Sequence, residues 1–232
     1  MSVVDALGVD TYLRGVVPVE MPSAWPTAAL EAQSIASRSY AARRLRPGVG
    51  SYDVTDDTSS QVYRGVEAER STTNLVLLSN PGVVLRSGGS IVNALYHSMG
   101  GGGTESNENV YTTPAGSKVA APVSYLRGSL DRTSAGVPYD VGSPDATWST
   151  ASYTTTQVSS WFGADARTSV GTLISLDLRN RGVSGRLISV TLIGSRATKT
   201  VSGEVFRSIF NARRPPTDPS MRSTLVATQP IP

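Results

Sequence analysis

The chain has 232 residues, a length that allows one large domain or two small ones with a substantial buried core. It is 39% apolar and 17% charged, with a net charge of +3, so it is neither a disordered polyelectrolyte nor a strongly basic nucleic-acid binder. It has no cysteine and a single histidine, His97, which excludes disulfides, thiolate chemistry and a Cys- or His-rich metal site.

Taken in chain order, the first segment, about Val9 to Val19, is short and apolar and carries Pro18 near its end. Trp25-Pro26 opens a predicted helix that runs to about Arg44, with Pro26 in the first turn and Pro47-Gly48 as the stop. Alanines at 28, 29, 32, 36, 41 and 42 suit a buried central helix that other backbone approaches closely. Tyr52 to Arg64 is extended and turn-rich. A second helix is predicted over Ser71 to Ser79, and a hairpin over Val83 to Arg86 and Ile91 to His97 about Gly88-Gly89. Gly100 to Gly103 form a glycine loop, and residues 112–150 are irregular and rich in Pro, Gly, Ser and Thr. A short helix over Thr154 to Phe162, strands over Leu187 to Ile193 and Ala197 to Val201, a helix over Glu204 to Phe210 and a last strand over Met221 to Val226 complete the reading. The expected class is α+β: a central Ala-rich helix packed on antiparallel strands, with a substrate cleft at the glycine loop. The expected organisation is one domain over 1–232, which the irregular region around 112–150 can divide into two lobes.

No apolar run approaches the roughly 20 residues of a spanning helix. The N-terminus has neither a basic region nor an apolar region of an export signal, so the chain is either cytoplasmic or a secreted protein whose signal has been removed.

The chemistry points to Glu20. It lies between Pro18 and Pro22, which restrict the backbone on both sides, and Val19, Met21 and Trp25 are candidates to wall it off from water. Burial of that kind lets a carboxyl hold a proton near neutral pH, as a general acid for glycosidic cleavage must. An acid that caps the helix or pairs with an arginine is the competing local reading. A serine hydrolase built on His97 and Asp53, Asp56 or Asp57 has no G-x-S-x-G segment behind it.

Tyr12-Leu13-Arg14-Gly15-Val16-Val17-Pro18-Val19-Glu20-Met21-Pro22, then Trp25-Pro26, Ala29-Leu30, Ala32-Gln33, Ala36 and Arg38-Ser39-Tyr40-Ala41, resembles the SpoIID family, which includes lytic transglycosylases and amidase-enhancer proteins. The resemblance continues through Tyr52-Asp53-Val54, Asp57-Thr58, Gln61 to Gly65, Ala94 to Ser98, Gly101 to Glu105 and Tyr125-Leu126, and weakens in the last third. It implies a secreted or cell-wall-associated protein that cuts the β-1,4 bond between N-acetylmuramic acid and N-acetylglucosamine of peptidoglycan glycan strands. The product is a 1,6-anhydro end, and Glu20 serves as acid and base. Because the sugar's own C6 hydroxyl attacks, one carboxylate suffices.

The resemblance implies substrate-binding positions at Arg38, Gln33, Gln61, Tyr63, Tyr96, Thr104 and Glu105. Each keeps an alternative: Arg38 as anchor of the central helix, Gln33 bonded to backbone, Gln61 and Tyr63 packed in a strand, and Glu105 exposed on a tight turn. No cofactor is expected. Some members hold zinc through Cys and His, where this chain has Ser59, Ser60 and Met99. The alternative function is a non-catalytic amidase enhancer that binds peptidoglycan and activates a cell-wall amidase. No nucleic-acid partner is expected.

Overall fold

The computed structural model describes residues 4–114 and 116–227. The chain forms two compact units, one ending at His97 and the other starting at Ser98.

The first unit is mainly helical. Its elements are α1 (Val9–Arg14), α2 (Val17–Glu20), α3 (Thr27–Arg44), α4 (Ser71–Ser79) and a hairpin of β1 (Arg86–Ser87) and β2 (Ser90–Ile91). The segment read as short and apolar is thus two successive short helices. Val17 starts the second, and Pro18 follows in its first turn, where its missing N–H would have no intrahelical acceptor. Leu13, Val16, Val17 and Leu77 form a fully buried cluster where α1 and α2 meet α4. Each such side chain contributes roughly 1.5–3 kcal/mol on leaving water.

The central helix starts at Thr27, with Pro26 as its extended N-cap residue, and ends at Arg44 as read. Its buried stripe is Leu30, Gln33/Ser34, Ser37/Arg38 and Ala41, at the spacing of one helix face. Serines make the close approaches there, while Ala28 and Ala32 lie on the exposed side. Ser34 Oγ donates to Glu31 O at 2.8 Å, and Ser39 Oγ donates to Ile35 O at 2.7 Å while accepting from Leu85 N at 2.8 Å. The α+β class holds, but the main partners of α3 are α1, α2 and α4, and of the strands it meets only the short hairpin. The reason lies in length: two-residue strands offer no sheet face broad enough to cover an 18-residue helix.

The second unit carries the larger sheet. Strands β3 (Leu173–Asp177), β4 (Ser189–Gly194) and β5 (Thr198–Ser202) pair antiparallel in that order. The predicted pair matches β4 and β5. β3 went unread, because a register shift between Leu173 and Ser175 breaks its alternation. Met221 to Val226, expected as a strand, has no strand pairing; it contributes Thr224 O to Leu187 N at 3.0 Å and buries Met221.

One face of the sheet is closed by α6 (Thr155–Gly163) and α7 (Gly203–Arg213). Phe162, Val190, Leu192, Val201, Phe206, Ile209 and Phe210 form its core. On α7 the buried residues Gly203, Phe206 and Ile209/Phe210 recur at helical spacing. A short helix, α5 (Asn107–Val110), precedes the irregular region.

Thr154 and Gln157 form a reciprocal capping box: Gln157 N donates to Thr154 Oγ1 at 3.2 Å, and Thr154 N donates to Gln157 Oε1 at 2.9 Å. Thr154→Ala is expected to cost about 1 kcal/mol, read as a lower urea midpoint at an unchanged slope. An unchanged midpoint would show the box to be idle.

Candidate functional site

Glu20 is the last residue of α2, where its own amide donates to Val16 O at 3.1 Å before the chain turns out at Met21. Its Oε1 accepts from Val62 N at 3.2 Å. This bond joins the first motif block to the extended segment 42 residues further on and fixes one carboxylate oxygen. The side chain is half-buried. The apolar wall expected around it is incomplete, since Trp25 is 52% exposed and Val19 is also exposed. The chain turns sharply at Met21 to Trp25 and points the indole outward.

The surroundings of Glu20 are built from phenols. Tyr12 on α1 and Tyr96 beyond the hairpin both feel its charge. Burial raises the Tyr12 hydroxyl, with Tyr96 and then Glu20 adding to the shift. Burial also pushes Tyr96 up to about 12; a hydrogen bond from Gln61 works against this and the Glu20 charge works with it. Tyr12 was read only as part of the motif. Its place in the same block as Glu20 is the signal that could have singled it out.

Tyr63 stacks on Tyr12, with ring centroids 5.3 Å apart. The stack depends on Gly15, where a Cβ would stand 2.5 Å from the Tyr63 ring. Arg64 N donates to Gly15 O at 3.1 Å and holds the strand-like segment there. Beside this pair lies a groove of about 680 Å³, bordered by Tyr12, Tyr52, Tyr63, Asp5, Asp53 and Asp56. Glu20 is outside its lining.

Gln61 is 1% exposed and fully engaged. It donates to Tyr96 Oη at 2.9 Å and to Ser37 O at 3.3 Å, and accepts from Tyr12 Oη at 3.4 Å. Gln33 is buried and donates to Ser37 Oγ at 2.9 Å. Both amides are buried and bonded to α3 or to the tyrosines.

Arg38 is 2% exposed. Its Nε donates to Asp10 Oδ1 at 2.6 Å, and Nη1 donates to Asn80 Oδ1 at 3.1 Å and Val83 O at 3.0 Å. The geometry is that of the anchor, one of the two roles open from sequence. It ties α3 to α1 and to the end of α4.

Thr104 and Glu105 belong to the second unit and are committed within it. Thr104 N donates to Ser129 O at 2.8 Å. Glu105 accepts from Ser106 N and Asn109 Nδ2 on one oxygen and from Ser184 N and Oγ on the other. Burial works against its charge, but these bonds outweigh it and hold the carboxyl below its ordinary value. Glu105 is therefore a loop tie, not the exposed acid of a tight turn.

The glycine loop is likewise occupied by its own unit. Arg186 donates to Gly100 O and Gly103 O at 2.9 Å, Arg132 Nε to Gly102 O at 3.1 Å, and Gly101 N to Asp140 Oδ2 at 2.6 Å. Gly101 and Gly102 have φ of 60° and 80°, which explains the glycines by backbone geometry. His97 is exposed. Among the described residues no group of three or more His, Asp or Glu side chains gathers at one place.

Residues 1–82 match the family model described as Stage II sporulation protein, SpoIID. That span contains Tyr12, Glu20, Gln33, Arg38, Gln61 and Tyr63. The chain is 29% identical over 184 residues to a Bacillus subtilis (strain 168) protein named Amidase enhancer, an alignment that covers 78% of this chain and 24% of that protein. It is 32% identical over 113 residues to an uncharacterised protein of Brachyspira hyodysenteriae (strain ATCC 49526 / WA1), covering 48% of this chain and 31% of that one. The chain thus spans about a quarter and about a third of the length of these curated relatives. No helix among the described residues is long and apolar enough to cross a membrane.

Proposed function

We propose that the chain, whose residues 1–82 match the SpoIID family model, is an extracytoplasmic peptidoglycan lytic transglycosylase that uses Glu20 as its acid and base. The observation that carries the reading is the setting of Glu20. It is a half-buried carboxylate inside the family-matched segment, with one oxygen fixed by Val62 N–H and its charge felt by two half-buried phenols, Tyr12 and Tyr96.

The chemistry balances without water. Glu20 gives its proton to the glycosidic oxygen as the bond from C1 of N-acetylmuramic acid breaks. The C6 hydroxyl of the same sugar then bonds to C1, and its proton returns to Glu20. The sugar's own hydroxyl is already at high effective concentration, so no second carboxylate is required. Glu105, a part-buried acid of the later motif blocks, is fully bonded inside the second unit and fits a structural role.

Purified protein incubated with peptidoglycan is expected to release glycan fragments ending in 1,6-anhydro-N-acetylmuramic acid, about 18 Da lighter than the hydrolytic product in mass spectrometry. Products that carry the added water would overturn the mechanism. A second reading, a non-catalytic amidase enhancer that binds the glycan and activates a cell-wall amidase, is favoured by the name of the Bacillus subtilis relative. It predicts no fragment release alone and stimulation of an added cell-wall amidase.

A further inference from the structure

Exposed apolar side chains gather in one concave place of the first unit. Leu7, Leu45 and Tyr52 are each more than 40% exposed, and all three line the groove of about 680 Å³ beside the Tyr12–Tyr63 stack. That volume lies in the range of small-ligand sites. Single exposed apolar residues are ordinary, whereas a concave group of them marks a surface that something covers.

The charges at this groove select its occupant. Three carboxylates from two stretches of chain border it: Asp5 ahead of α1, and Asp53 and Asp56 in the extended segment. No Lys or Arg lines it. The two nearby guanidinium groups are bonded to backbone carbonyls, Arg46 to Tyr52 O and Arg64 to Asp56 O and Tyr63 O. Asp53 Oδ1 accepts from Arg46 N at 2.6 Å, while the side chains of Asp5 and Asp56 have no hydrogen bond or ion pair among the described residues. Carboxylates only accept hydrogen bonds, so the occupant must bring donors and positive charge. The groove has few donors of its own to return, since Thr55 gives its hydroxyl proton to Asp57 at 2.9 Å. A peptide brings a carbonyl acceptor at every residue, which this lining cannot serve. A sugar brings hydroxyls that donate, and C–H faces that pack on aromatic rings.

From this composition we propose that the groove is a subsite for a glycan strand carrying a free amino group, a de-N-acetylated glucosamine residue that packs against the tyrosines and pairs its ammonium with the carboxylates. The inference deepens the reading of a glycan-acting protein and rests on it for the choice of a sugar. Glu20 is outside the lining, so the subsite selects the strand and does not cut it. An acetylated residue still packs on the rings but loses the ion pairs. The tyrosines add to the preference, because a cation beside an aromatic face is attracted by it.

The test compares two probes that differ only in the acetyl groups: the β-1,4-linked hexamers of glucosamine and of N-acetylglucosamine. Binding is measured by calorimetry on the full chain carrying Glu20→Gln, so that no bond is cut, at about pH 6, where the amines are protonated. The glucosamine hexamer is expected to bind about ten-fold more tightly at low salt, with the preference shrinking as salt is raised. Asp53→Asn with Asp56→Asn should remove most of the preference and spare the acetylated hexamer. Tyr52→Ala should weaken both hexamers several-fold. Glu67→Gln, an exposed acid outside the groove, should change neither. Equal affinity for the two hexamers overturns the proposal. So does a preference that survives the aspartate variants or falls as much in Glu67→Gln, which would mark general charge attraction. Tighter binding of trilysine than of the glucosamine hexamer also overturns it, in favour of a peptide site. If the double variant does not fold, Asp56→Asn alone carries the test: part of the preference should go, and full retention overturns the proposal. The preference in a protein whose Glu20 form releases no anhydro ends supports the subsite and rejects the transglycosylase reading; cutting without the preference rejects the subsite alone.

Discussion

Glu20→Gln is expected to lower the release of anhydro-muramyl ends by at least about 10³-fold while leaving the fold intact. Positioned acid–base catalysis contributes roughly 10²–10⁴-fold for one transfer, and in the proposed reaction a single group serves both the departure of the leaving oxygen and the attack of the C6 hydroxyl. The amide keeps an oxygen for Val62 N–H, so the link between α2 and the extended segment survives. The side chain is half-buried and belongs to no ion pair among the described residues, so the change in stability should stay within about 0.5 kcal/mol. Glu20→Asp, which titrates but is one methylene shorter, should retain measurable cutting. The measurement is the rate of anhydro-product formation, with thermal melting alongside. Cutting by folded Glu20→Gln at the parental rate would remove Glu20 from the reaction. Loss of cutting together with loss of the melting transition would instead mark it as structural.

Glu20 was legible in the sequence because its signal is local. Two prolines and a recognisable block surround it within a dozen residues. Helix α4 was legible for the same kind of reason, with Asn80-Pro81-Gly82 forming an unambiguous stop, and its observed limits match the reading. So was the start of α6, where Thr154 and Gln157 stand at capping-box spacing. What stayed hidden depends on contacts distant along the chain. Gln61 meets Ser37 24 residues away and Tyr96 35 residues away, and only those contacts show it as a buried tie between α3 and Tyr96. β3 was hidden because its register shift erases the period-two pattern. The division of the chain at His97 and Ser98 falls just before the four glycines Gly100 to Gly103, which were read as a loop at the cleft; the composition shift at 112–150 lies inside the second unit.

Arg38 gives the second large effect, expected in stability rather than rate. The buried face of α3 is rich in serine, glutamine and arginine, so its packing depends on satisfied hydrogen bonds as much as on apolar area. Arg38 holds three partners on two neighbouring segments. The pair with Asp10 adds little on its own, because Asp10 is 43% exposed and can turn to water. The larger loss comes from Val83 O and Asn80 Oδ1, which lose the Arg38 donor. Arg38→Met should therefore cost about 2–4 kcal/mol. In a unit of this size that lowers the melting temperature by roughly 10–20 °C. Arg38→Lys should recover only part of this, since one ammonium cannot reproduce the planar fork that reaches Asp10 and Asn80 together. Asp10→Asn should cost less than about 1 kcal/mol. The same variants separate the anchor from a substrate ligand. An anchor lowers the melting temperature and leaves KM for glycan near the parental value when assayed well below the transition. A ligand raises KM several-fold at an unchanged melting temperature, an outcome that would return Arg38 to the substrate site.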